Sequence, residues 1–301
     1  MTAPRTKIDW LAGRTRSQPA VVLEGLRAGF GAHGELLNLD RRLAGWMGYD
    51  SSAEVRVGNM HVGRLAWGGE HQRGWVHASI TGKGCDWVED WDALQDGLQA
   101  LQAWEPRRVD IALDTFGREC THEKVLQAHR DGGFTTRGRP PALSQIIHED
   151  PTVGRTIYIG KRTSEKFVRA YEKGLQLAAG PVIDGVPAED WYRVELECKV
   201  KDNPLPADII DRRDQYLAGS YPYLQQLLPN VHPEILVSMR ERAPQLDLAA
   251  ALENVRVQYG RTLFTAMVAY GGDISAVWGK VCARQHNEEL LRSGVLLVEH
   301  A

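Results

Sequence analysis

At 301 residues the chain exceeds a single typical core, so one large or two modest domains are expected. A formal net charge of -3 and a pI near 6.4 exclude general polyanion binding through a basic excess, and any nucleic-acid surface must be local. Cys85, Cys120, Cys198 and Cys282 lie too far apart for a short-spaced zinc site or a disulfide framework, and no run approaches membrane-spanning or signal-peptide length; a soluble cytosolic protein, with reduced thiols and no membrane contact, is expected.

In chain order, strand patterns run over 61–67 and 75–80, followed by a helix from about Trp87 to Trp104 with Trp87, Trp91, Leu94, Leu98 and Leu101 on one stripe. Further strands are expected over 107–116, 155–159, 166–173 and 191–200. The polar, proline-bearing stretch Lys201-Asp202-Asn203-Pro204-Leu205-Pro206 ends the last strand and marks a seam. Beyond it the pattern is mostly helical, with Leu248, Leu252, Val255, Tyr259, Leu263 and Met267 at helical spacing. Such a stripe is a packing face or a helix offered to DNA or a second subunit. Nothing repeats at a fixed period. The expected fold is α+β: a mainly antiparallel sheet flanked by helices over 1–205 as the catalytic domain, then a helical region over 206–301.

Three of these strands carry chemistry. In Arg108-Val109-Asp110-Ile111-Ala112-Leu113-Asp114, alternation puts Asp110 and Asp114 on one face and the aliphatics on the other. In 191–199, the same parity groups Arg193, Glu195, Glu197 and Lys199. If the two strands are neighbours, four carboxylates converge and repel unless something positive lies between them. A hard divalent cation, Mg2+ or Mn2+, fits oxygen ligands and commonly takes only one or two carboxylates. The alternative is a solvent-facing sheet on which the acids pair with Arg108, Arg193 or Lys199.

The third strand, Lys166-Phe167-Val168-Arg169-Ala170-Tyr171-Glu172-Lys173, holds a phenol between two cations. Alternation places Arg169, Tyr171 and Lys173 on one face, where the cations favour phenolate or hold an anionic substrate. Between Arg155 and Lys173 six cations face two acids, and Arg155, Lys161, Arg162 and Lys166 are the candidate phosphate contacts. Tyr158 is the second candidate nucleophile, with Thr156 and Gly160 beside it instead of cations.

Arg-x-Asp-x-Ala-x-Asp at 108–114, Thr-Ile-Tyr-Ile-Gly-Lys-Arg-x-Ser at 156–164, Arg-x-Tyr-Glu-Lys at 169–173 and Trp-x-Arg-Val-Glu-x-Glu at 191–197 resemble, as an ordered set, the replication initiation factors of filamentous phages and staphylococcal-type rolling-circle plasmids. A fainter echo lies in Ile8-Asp9-Trp10-Leu11. The resemblance implies a sheet-based catalytic domain, often dimeric, in which Tyr171 cuts one strand of origin DNA and stays on the 5′ phosphate. It implies a divalent metal on carboxylates drawn from Asp110, Asp114, Glu195 and Glu197. Arg169 and Lys173 then offset phosphate charge, and a free 3′ hydroxyl is released as primer.

No phosphate-binding Gly-x-x-x-x-Gly-Lys-Ser/Thr loop occurs, so a host helicase is the expected partner. No His-apolar-His pair supplies a histidine-clamped metal. A conjugative relaxase with the same chemistry, and a noncatalytic origin-binding regulator in which Tyr171 packs or stacks on a base, are the competing readings.

Overall fold

The computed structural model describes residues 5–42, 45–136, 138–177, 182–183, 185–201, 205–236 and 248–286. It divides into two compact units, Met1–Leu236 and Val237–Ala301. In the first, β1 (Arg5–Thr15) and α1 (Pro19–Arg27) precede β2 (Leu37–Arg42), β3 (Ser51–Val57), β4 (Met60–Trp67) and β5 (Val76–Ile80). Then come α2 (Gly82–Cys85), α3 (Trp91–Gln99), β6 (Glu105–Thr115), α4 (His122–Arg130), β7 (Leu143–Ile146), β8 (Thr156–Ile159) and β9 (Lys166–Tyr171). The short α5 (Lys173–Gln176) and the hairpin of β10 (Val182–Ile183) with β11 (Val186–Pro187) lead to β12 (Tyr192–Lys199), and α6 (Arg213–Ala218) and α7 (Pro222–Leu227) close the unit.

Ten strands form one antiparallel sheet in the order β2, β3, β4, β5, β1, β6, β12, β9, β8, β7. Although no period repeats in the sequence, the order of elements does. Each half is a strand, a helix and then strands that meander back to pair with the first: β1, α1 and β2 to β5, then β6, α4 and β7 to β9 with β12. The ladder between β1 and β6 joins the halves at the centre of the sheet.

Alternation decides the two faces. Ile8, Leu11, Val109, Ile111, Leu113, Val168, Ala170, Val194 and Leu196 enter one core with Val22 and Leu26 of α1, Leu94 and Leu98 of α3, Val125 of α4, Leu217 of α6 and Leu224 of α7. The opposite face keeps the charged residues. All six expected strands form, with ends shifted by one or two residues; β9 stops at Tyr171, so Lys173 opens α5 instead of extending the strand. The helix expected over 87–104 is shorter, because the Asp90 carboxylate caps it by accepting from the Ala93 amide at 2.9 Å and Ala100 ends it. Leu94, Leu98 and Leu101 are nevertheless buried, with Trp87 and Trp91 packed against the same core.

The seam expected at 201–206 lies partly outside the described residues, and the compact unit runs past it to Leu236, with Ile209, Leu217 and Leu224 fully buried. In the second unit, α8 (Leu248–Ala269) and α9 (Ile274–Val281) bear out the helical pattern. Leu252, Val255 and Tyr259 of the expected stripe are exposed. No helix among the described residues is long and apolar enough to cross a membrane.

Candidate active site

The strands expected to carry chemistry are neighbours. Across β12 and β6, Arg193 faces Asp114, Glu195 faces Ala112 and Glu197 faces Asp110. Across β12 and β9, Arg193 faces Tyr171 and Glu195 faces Arg169. The even register keeps all of these on the face away from the core.

Tyr171 is buried, and its hydroxyl donates to Glu195 Oε1. Arg169 holds the other oxygen of that carboxylate, with Nε 2.7 Å from Oε2. Lys173 Nζ and Arg169 Cζ lie 5.6 and 5.9 Å from the centre of the tyrosine ring. The expected cations are therefore present, but their effect on the phenol is overturned. Burial, and then the charge and hydrogen bond of Glu195, push the Tyr171 pKa well above its ordinary value. Arg169 is spent on Glu195, and Lys173 is itself pulled down by burial and by Arg193.

The remaining carboxylates are each held by a cation from their own or a neighbouring strand. Arg193 grips Asp114 through two bonds of 2.7 and 2.6 Å, and the Trp191 indole donates to the same carboxylate at 2.7 Å. Arg108 grips Asp110 at 2.8 and 2.6 Å and reaches Glu197 at 2.8 Å, while Lys199 pairs with Glu197. These are the partners of the alternative reading, yet Asp110, Asp114 and Glu195 are buried instead of solvent-facing. Burial raises Asp110 to about 6 in spite of Arg108.

Asp9 completes the site and was not singled out from sequence. The register between β1 and β6 slips between Ile8 and Trp10, so Asp9 is the extra residue of a bulge. Its carboxylate lies 3.0 Å from Arg193 and 3.5 Å from Lys7, and burial together with Glu195 raises its pKa. The only sequence signal was the weak echo over residues 8–11, because the bulge breaks the alternation that reveals the other strands.

The four expected metal ligands do not fit one ion. Among the described residues no three of His, Cys, Asp or Glu converge in a metal-holding arrangement. Asp110 and Glu197 gather around Arg108, whereas Asp9 and Glu195 lie 3.0 and 4.0 Å from the same Arg193 nitrogen. That last pair has the carboxylate count magnesium commonly accepts, about a position that Arg193 now fills.

The expected phosphate contacts separate into two groups. Lys161 and Arg162 are exposed on the turn between β8 and β9, where Gly160 adopts the φ of +92° that the turn requires. Arg155 is instead tied to Glu172 and Glu123, each at 2.7 Å, and Lys166 donates to the Ser220 carbonyl at 3.0 Å beside the Tyr221 ring. Tyr158 stacks on Phe167, with ring centres 5.7 Å apart, and has no carboxylate partner among the described residues.

Residues 106–236, from β6 to the end of the first unit, match the family model described as replication initiation factor. Over that stretch the chain is similar to the replication initiation factors. It is also 28% identical over 135 residues to a Bacillus subtilis (strain 168) protein provisionally named DNA relaxase NicK; the match spans 41% of this chain and 38% of that protein. The rolling circle replication initiator protein from Geobacillus stearothermophilus superposes with a TM-score of 0.56, covering 78% of this chain and 99% of that one. At 20% identity this likeness is one of fold.

Proposed function

We propose that the chain nicks origin DNA to initiate rolling-circle replication, with Tyr171 as nucleophile. The observation that carries this reading is the Tyr171 hydroxyl held on Glu195, beside Arg169 and Lys173, within the family-matched stretch. As the phenolic oxygen attacks phosphorus, its proton passes to Glu195; the bond to the 3′ oxygen breaks, that oxygen takes a proton from solvent, and a phosphotyrosine bond forms on the 5′ side. Arg169 and Lys173 offset the charge developing on the phosphate. The number of phosphoester bonds is unchanged, so a later 3′ hydroxyl can rejoin the strand without ATP.

A divalent ion enters the proposal only in a two-carboxylate form, on Asp9 and Glu195 with Arg193 displaced; it would polarise the nonbridging phosphate oxygens. Unwinding by a host helicase and pairing with a second copy also belong to the proposal. The likeness to the protein provisionally named a relaxase favours a second reading, in which the same nick starts conjugative transfer.

Supercoiled origin plasmid incubated with protein and manganese should give open circles with protein on the 5′ end, and mass spectrometry should place the adduct on Tyr171. Tyr171→Phe should abolish nicking while DNA binding persists; undiminished nicking refutes the nucleophile. Chelation without effect on the yield removes the ion.

A further inference from the structure

A cavity of about 600 Å3 borders the tyrosine site; the proposed cleavage step draws Lys173 from its wall and leaves most of the cavity free. Its wall runs from Lys173 and Arg193, beside Tyr171, to Lys7 and Lys83, and includes the rings of Phe116 and Trp191. Pockets that enclose small ligands occupy roughly 300–1,000 Å3, so there is room for one nucleotide.

The lining is chemically divided. Arg193 is matched by Asp114 and Asp9, and Lys7 by Asp86 at 2.7 Å. Lys173 is different: among the described residues its ammonium donates only to the neutral Gln176 carbonyl oxygen, at 3.3 Å, above the tyrosine ring. Lys83 is exposed and has no ion-pair partner among the described residues. Burial and then Arg193 lower the Lys173 pKa, against the pull of Asp9 and Glu195, neither of which forms an ion pair with it. Between these two lysines the wall is aromatic. Phe116 and Trp191 lie 5.5 Å apart at 45°, and the bond from the indole to Asp114 fixes the tryptophan ring. Flat rings between unmatched cations complement a base with phosphates on either side. A free anion would leave the rings unused, and an apolar ligand would leave the lysines unmatched.

We propose that this cavity receives the nucleotide next to the scissile phosphate, its base turned out of the strand onto Trp191 and Phe116 and its outer phosphate held by Lys83. The assignment rests on the reading of Tyr171 as nucleophile, because that fixes where the scissile phosphate lies. Lys173 then faces the scissile phosphate and Lys83 the next one along.

Calorimetric titration of the full chain with each deoxynucleoside 3′,5′-bisphosphate, and separately with inorganic phosphate, tests it. One bisphosphate should bind per chain, and inorganic phosphate at equal concentration should not displace it. Phe116→Ala should weaken binding by at least about fivefold, the scale of one lost base stack. Lys83→Ala, at an exposed position that folding does not need, should weaken it as well. Absence of binding, equal affinity for inorganic phosphate, or undiminished affinity in both Phe116→Ala and Lys83→Ala overturns the proposal. If Tyr171→Phe still nicks DNA while the bisphosphate results come out as expected, the nucleophile reading fails and the nucleotide cavity stands.

Discussion

Tyr171 keeps its proton in the resting protein, since burial and the adjoining carboxylate both oppose ionisation. In the proposed reaction Glu195 would accept that proton at the moment of attack, held in place by its bond to Arg169. Replacing it by an isosteric amide keeps the hydrogen-bonding oxygen and removes the base. Glu195→Gln is expected to slow single-turnover cleavage by about 10²–10⁴-fold with DNA affinity retained; a near-normal rate would assign proton removal elsewhere. A second residue prediction concerns His77, whose buried Nε2 has no hydrogen-bond partner among the described residues and whose ring lies 5.1 Å from that of Trp46. Burial lowers its pKa from 6.5 to about 4. The folded form thus resists a proton that the unfolded chain accepts: this stability is complete above about pH 6.5 and falls as the pH drops toward 4, by up to about 3 kcal/mol. Asp110, raised to about 6, has the opposite sign, gaining stability on acidification. Urea titrations at several pH values, comparing His77→Phe with the parent, isolate the histidine, and parallel curves would contradict its burial. The tyrosine and its two cations were legible in the sequence. The sign of their influence was not, because Glu195 is 24 residues away and reaches the phenol only across the ladder of β9 and β12.

At the scale of elements, period-two alternation revealed β6, β9 and β12 with the correct outward residues, and thereby most of the site. It failed for β1, where the bulge at Asp9 leaves Ile8 and Leu11 on the same buried side three positions apart. The local excess of cations that offered Arg155 and Lys166 to phosphate gave no sign of their pairing with Glu172 and with the backbone at Ser220, which depends on contacts between elements. Helices α1 and α3 show how closely such contacts are set. A β-carbon on Gly97 would come within 2.1 Å of the Gly25 carbonyl oxygen. Gly97→Ala gains up to about 1 kcal/mol of helix propensity, but overpacking against rigid backbone costs about 1–3 kcal/mol, so net destabilisation is expected in denaturant melts. Gly260→Ala in α8 meets nothing closer than the Arg256 side chain at 3.7 Å and should stabilise its helix. Equal effects of the two would show that the α1 and α3 contact yields easily.

Across the whole molecule, α6 and α7 belong with the sheet. A chain ending at Leu236 keeps the buried Leu217 and Leu224 of these helices and Ile209 before them, and should unfold in one cooperative transition and still nick DNA. A chain ending at residue 205 exposes the core those residues cover and should aggregate or melt far lower; coincident melting curves would count against this packing. The expected seam falls short of the end of the compact unit at Leu236, since short helices that lie against a sheet look in sequence like the start of a helical region. The central pairing of β1 with β6 has one more consequence. A break in the turn between α3 and β6 would leave each half its own meander, with Lys7 and Asp9 on one fragment and Arg193, Glu195 and Tyr171 on the other. Neither fragment alone holds the complete constellation, so a split chain would make strand cleavage conditional on the two pieces finding each other.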